Sequence, residues 1–230
     1  MSAEMTELVI ASLAFVGSHF IVSSEPMRAT LVRRLGEAAF VILFSLAAAG
    51  FLAWMILAYL KTPTTELWSL GTGARHLALG LMVPASVFVF AGYTMFNPTA
   101  VGLERLVGEE KKPAGIIKVT RHPVMWGIGL WGIAHMAANG DSASLIFFGA
   151  LAFLALAGTL AIDRKKARTM GPGWPAFRDG SSNVPFAALL AGRAHVSLKE
   201  IGYWRLLGGL ALYGLLVWAH PLVIGKPLFG

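Results

Sequence analysis

Six histidines and no cysteines set the chemistry open to this 230-residue chain. Four of the imidazoles, His19, His76, His122 and His135, fall inside or at the edges of long apolar stretches. His195 and His220 lie towards the C-terminal end. A histidine in a bilayer is costly to bury and is a candidate functional group by default. Its plainer role is an interhelical hydrogen bond. Several together, in a chain almost without intramembrane carboxylates, point to neutral imidazole as a metal ligand. Haem iron is one metal that two facing imidazoles saturate. The lack of cysteine removes disulfides, thiolate metal sites, iron–sulfur clusters and cysteine nucleophiles.

The stretch Thr120–Asp141 gathers most of this chemistry: TRHPVMWGIGLWGIAHMAANGD. Arg121-His122-Pro123 opens it, with proline where a helix start tolerates its missing N–H. A guanidinium beside an imidazole there can hold a carboxylate, a phosphate or a haem propionate. It can equally be a basic anchor ahead of a helix. Gly17 and Ser18 before His19, and Gly127, Gly129 and Gly132 before His135, leave room for a flat macrocycle or let helices pack closely. Trp54, Trp126 and Trp131 can line an apolar pocket or anchor span ends at the membrane interface.

These residues are positioned by a membrane architecture. The chain is 56% hydrophobic and 13% charged, against roughly 25% charged in soluble domains. Six stretches approach the length of about 20 residues that a span requires. They are Met5–Ser23, Glu37–Leu60, His76–Met95, Pro123–Ala138, Ala143–Ile162 and Tyr203–Val223. The fold expected is therefore all-α, a polytopic integral membrane protein of about six transmembrane helices in the lipid bilayer. The fourth span is the shortest, and Asn139–Ser142 joins it to the fifth as a tight hairpin.

Of the 19 Lys and Arg residues, 16 lie in connections one, three and five or at the adjoining mouth of the last span. They include Arg28, Arg33, Arg34, Lys111, Lys112, Arg121, Arg164, Lys165, Lys166 and Arg168. The positive-inside rule places those connections in the cytoplasm and both termini on the periplasmic side of a bacterial inner membrane. The net charge of +7 is thus a topology signal, and no nucleic-acid partner is expected. The acidic start MSAEMTE does not fit a cleaved signal peptide, so the first span is expected to be retained. Connection three, Phe96–Thr120, reads as a solvated loop with a short helix. In connection five, Asp163–Gly202, glycine–proline clusters break helices, and Val184–Leu190 is apolar enough to lie along the membrane surface.

Thr120-Arg121-His122-Pro123, Trp126-Gly127, Leu130-Trp131, Ala134-His135 and Ala138–Asp141 resemble the NnrU family of bacterial membrane proteins, as do Gly17-Ser18-His19 and Arg75-His76. The resemblance covers roughly residues 5–190. It implies a five-span domain over 1–192, with 193–230 as an extension carrying a sixth span. It also implies a role in nitrogen-oxide or denitrification metabolism, beside respiratory or denitrification membrane proteins. The family is similar to plant 15-cis-zeta-carotene isomerase, a haem b enzyme that holds iron through histidines of its first span and of a later tryptophan-rich span. Carried over, the ligands are His19 and His135, with His76 a third position. Gly132 stands where the isomerase has a cysteine.

Counted along the spans, His19 and His135 differ in depth by on the order of 10 Å, which makes His76 the nearer match in depth for His135. Arg121, His122 and Trp131 are the remaining cofactor-binding candidates. Arg121-His122-Pro123 with Gly127 also resembles the first cofactor motif of membrane isoprenylcysteine and phospholipid methyltransferases. So do Lys166, Met170, Gly171, Trp174, Phe177 and Val184-Pro185-Phe186 for the stretch after their second motif. That likeness implies S-adenosylmethionine as an alternative cofactor, although Asp163 is the nearest acid to the glutamates of that family. A non-enzymatic assembly factor is the third class.

Because the chain has no thiols, orientation is directly measurable. A cysteine introduced at Lys111 should resist impermeant maleimide in intact cells, and labelling from outside would reverse the topology.

Overall fold

A computed structural model describes residues 2–97, 112–226 and 228. Among them every regular element is a helix: α1 (Ala3–Val22), α2 (Glu25–Leu35), α3 (Glu37–Lys61), α4 (Gly71–Thr94), α5 (Ile116–Val119), α6 (Pro123–Asn139), α7 (Ser142–Thr169), α8 (Gly173–Asp179), α9 (Ala187–Leu190), α10 (Leu198–Ile201) and α11 (Tyr203–Ile224). The expected all-α membrane architecture is present. Five helices, α1, α3, α4, α7 and α11, are long and apolar enough to cross a membrane. The solvated part of connection three that holds Glu104, Arg105, Glu109, Glu110 and Lys111 lies outside the described residues, while its short helix is α5.

The remaining expected span, α6, has 17 residues, about 25 Å of helix. It runs antiparallel along α4, with Gly92 of α4 against Pro123 and Val124, and Gly127 against Ala85 and Val89. The neighbour order across the bundle is α11, α4, α6, α7, α1, α3, so the chemistry-bearing helix sits centrally. Close packing is what its glycines provide. A Cβ on Gly127 would meet Val89 Cγ2 at 2.6 Å, one on Gly129 would meet Leu156 at 2.6 Å, and one on Gly132 would meet Ala152 and the Phe148 carbonyl at 2.9 Å. The room foreseen there for a macrocycle is filled by α4 and α7, because small residues let helices approach where lipid offers no hydrophobic drive.

Local signals fix the ends. Ser2 caps α1 by accepting from Met5 N at 3.2 Å, and Asp141 caps α7 by accepting from Ser144 N at 2.8 Å. Gly140 closes α6 in the left-handed region, φ 63°, where any Cβ would lie 2.1 Å from the Trp68 carbonyl. Its own carbonyl accepts from Leu67 and Trp68, so the α3–α4 connection clasps the α6–α7 hairpin. Two differences from expectation concern basic segments. Helix α2 forms inside connection one, and α7 continues past Ile162 to Thr169. Its last turn carries Lys166 and Arg168, cations that the negative end of the helix dipole favours. Arg168 reaches back to Glu25 of α2 at 2.6 Å.

Two apolar clusters hold the bundle. One joins α1, α3 and α7 through Leu8, Phe15, Met55, Phe147 and Phe148; the other joins α4, α5, α8 and α10 through Phe88, Ile117, Trp174, Phe177 and Ile201. Leu13, Leu46, Leu207 and Leu222 stand outward, as lipid-facing side chains do.

Gly127→Val should lower stability by about 1–3 kcal/mol, the usual penalty for overpacking, whereas Gly50→Ala, with nothing within 4 Å of its Cβ, should not. Thermal unfolding in detergent compares the two, and equal melting temperatures would rule out the packing role.

Candidate functional site

The polar residues converge at the end of the bundle where α6 starts and α7 runs out. Asp163, on α7, takes hydrogen bonds from four donors. Arg121 Nε donates to Oδ1 at 2.7 Å and Nη2 to Oδ2 at 2.6 Å. His122 Nε2 donates to Oδ1 at 2.8 Å, and Asn183 Nδ2 to Oδ2 at 2.9 Å. Thr159, one turn earlier on α7, donates to Asn183 Oδ1 at 3.1 Å. The Arg121 guanidinium lies 5.6 Å from the Trp174 ring, a cation–π contact.

Connection five is held against α6 by its backbone. The Asn183 carbonyl accepts from Thr120 Oγ1 at 2.6 Å and Trp126 Nε1 at 2.8 Å, and the Ser182 carbonyl accepts from Arg121 N at 2.9 Å. Asn97 Nδ2 donates to the Arg121 carbonyl at 3.1 Å. Arg121, His122, Thr120, Lys166, Ser181 and Ser182 are all buried. The anion clamp expected of Arg121 and His122 exists, and Asp163 fills it. A bidentate arginine–carboxylate pair is the strong form of such a contact, so the cluster ties connection five to two long helices.

His122 works here as a neutral donor. Burial above all pushes its imidazole below the ordinary histidine value of 6.5; the bonds to Asp163 work against that shift, and Arg121 and Lys166 work with it. Because the folded state takes up this proton less readily than the unfolded chain, stability rises with pH through the region just below 6.5 and falls as pH drops.

The other predicted residues lie elsewhere. His135, on α6, packs against Trp131 at 4.7 Å and stacks on Phe148 at 4.6 Å between ring centroids. Trp131 therefore belongs with His135, and about 13 Å of helix separates it from His122. His19, on α1, meets Phe15 at 4.7 Å and Phe44 at 5.4 Å. The two imidazoles do not touch. Helix α7 packs against both α1 and α6; Phe148, beside His135, and Phe153, which meets Phe20 at 6.0 Å, are five residues apart, about 7 Å of depth. His76 sits exposed in the second turn of α4, towards the end where α6 finishes.

His19 and His135 share one detail that the sequence did not show. Nδ1–H of His19 donates to the Phe15 carbonyl at 2.7 Å, and Nδ1–H of His135 to the Trp131 carbonyl at 2.8 Å. Each bond fixes the tautomer and leaves Nε2 with its lone pair, the state a metal-ligating imidazole requires. Among the described residues no three His, Asp or Glu side chains gather as a metal site. Sequence reasoning also missed Asn183, Thr159 and Asn97. The one available signal was Asp163, a lone acid at the end of an otherwise apolar run.

Asp163→Asn strands a buried guanidinium, and removing one partner of such a pair should lower stability by about 3–5 kcal/mol. In a double-mutant cycle, Arg121→Ala and Asp163→Ala should be strongly non-additive; additive losses would mean that the pair is not coupled. His122→Asn should flatten the fall in melting temperature as pH drops below 6.5, measured against the parent chain.

The profile of the family described as "NnrU protein" matches residues 7–228 and so includes α11. Among curated proteins, 15-cis-zeta-carotene isomerase of Arabidopsis thaliana is 27% identical over 202 residues, covering 83% of this chain and 53% of that protein. The Zea mays isomerase is 28% identical over 132 residues, covering 56% of this chain and 35% of that protein. The chain thus spans about half the length of the first of these relatives and about a third of the second. No solved structure matches. With its profile matched from α1 through α11, the chain belongs to the NnrU family.

Proposed function

We propose that this NnrU-family membrane protein binds haem b through membrane imidazoles and acts in redox or nitrogen-oxide-linked metabolism. His135 and His19 are the ligands in this reading, with His76 as the third imidazole. It resides in a bacterial inner membrane with both termini periplasmic, on the strength of the positive-inside bias. The observation that carries the proposal is the paired tautomer lock, in which Nδ1–H of His19 and of His135 each bonds the carbonyl four residues back. Each histidine would suit a metal, since the nitrogen it leaves open is the basic one and its ring is steadied by aromatic neighbours. Their side chains differ by about 7 Å in depth along the bundle, and these two histidines would be the residues that hold the group. Bound haem would supply one-electron chemistry.

The alternative, S-adenosylmethionine at Arg121-His122-Pro123, draws less support. His122 Nε2 and two Arg121 donors are already engaged by Asp163.

The absorption spectrum of detergent-purified protein from haem-replete cells tests the proposal. A Soret band is expected, shifted or abolished by His135→Ala and by His19→Ala and spared by His122→Ala. A protein with no Soret band, or a band indifferent to both His19 and His135, would refute it. Calorimetry showing S-adenosylmethionine binding that His122→Ala removes would favour the alternative.

A further inference from the structure

The end of the bundle that holds Asp163 also carries a surface with no part in haem binding. Thr120 and Trp126 both donate to the Asn183 carbonyl, and Phe186 N donates to the Val119 carbonyl at 2.8 Å. These bonds fix Val184–Leu190 at the depth of the first turn of α6, where that helix enters the apolar layer. Leu189 packs inward against the second apolar cluster, while Val184, Phe186 and Leu190 point outward, 55%, 51% and 88% exposed. Phe186 holds φ 66°, the one positive φ at a non-glycine among the described residues, in a region that side chains rarely adopt. The backbone therefore tolerates strain while a phenyl ring stays out of the core.

Beside this apolar edge lies a groove of about 400 Å³ lined by Arg178, Ser181, Ser182, Val184, Ala187 and Arg193, among others. Arg193 Nη1 is held there by the carbonyls of Asp179 at 2.6 Å and Ser181 at 3.3 Å. Asp179 also lines the groove, and Arg178 Nε and Nη2 reach its Oδ1 at 3.2 Å. Both partners of that contact are more than half exposed, so it holds the arginine weakly and yields readily to a stronger anion.

We infer that this edge binds an anionic phospholipid, with the phosphate between Arg178 and Arg193 and the acyl chains along Val184, Phe186 and Leu190. Guanidinium matches phosphate in a bidentate way, and basic groups next to membrane spans attract anionic lipid. Apolar side chains facing water at this depth would be an exposed patch; facing acyl chains, they are buried.

The thiol-free chain allows a direct test. A nitroxide on Phe186→Cys, in liposomes of phosphatidylglycerol and phosphatidylcholine, should relax with oxygen more than with an aqueous nickel chelate. The same label at Thr169→Cys should show the reverse, and an aqueous signature at 186 overturns the inference. In native mass spectrometry the protein should retain phosphatidylglycerol several-fold over phosphatidylcholine. Arg178→Ala with Arg193→Ala should erase that preference, while the double lysine variant keeps part of it, which excludes simple misfolding. Equal retention of the two lipids by the parent chain, or an unchanged preference in the alanine variant, also overturns it. Complete displacement of phosphatidylglycerol by millimolar inorganic phosphate would assign the groove to a free anion instead.

Discussion

The carboxylate of Asp163 is the point on which the basic end of the molecule depends. A charge near the end of an apolar helix is tolerable only when its lone pairs are matched by donors. Here the donors come from three places: Arg121 and His122 ahead of α6, Asn183 in connection five, and Thr159 acting through Asn183. Matching that one group therefore draws the start of α6, the end of α7 and a loop twenty residues further on into a single buried cluster. The Asn183 carbonyl, taking Thr120 and Trp126 at once, makes the same join through the backbone. Arg121-His122-Pro123 has the look of a binding motif, and the anion it binds belongs to the protein itself.

That arrangement separates two kinds of histidine. His122 spends Nε2 on Asp163 and is neutral because burial and neighbouring cations keep it so. His19 and His135 spend Nδ1 on their own helix and keep Nε2. The difference follows from position. A histidine ahead of a helix has no carbonyl four residues back within reach, whereas one in mid-helix does. The haem proposal rests on His19 and His135, whose rings lie among aromatic side chains of the apolar spans, and leaves the basic end to structure and to lipid.

The glycines of α6 show how one residue type can be read in two ways. Each was open to a cofactor or to a neighbouring helix, and the neighbours took the space. Val89, Leu156 and Ala152 lie where a Cβ would be, which sets α6 tight between α4 and α7.

What the sequence alone determined is whatever depends on composition and short spacing. Low charge and long apolar runs require helices in a bilayer, since only internally bonded backbone survives there. Asn139–Ser142 can only be a tight hairpin. The pattern around His122 and His135 marked the family. What only the tertiary structure decided involves partners distant along the chain. Arg121 and Asp163 are 42 residues apart and Thr120 and Asn183 are 63 apart, and no periodicity links them. The relative depth of His19 and His135, on the order of 10 Å when counted along the spans and about 7 Å in the bundle, belongs here as well. Depth in a bundle depends on how helices slide and tilt against α7, and that is set by side-chain packing between helices, to which hydropathy along one helix is blind. The continuation of α7 through its basic turn and the appearance of α2 belong here too, since Arg168 and Glu25 meet across the fold.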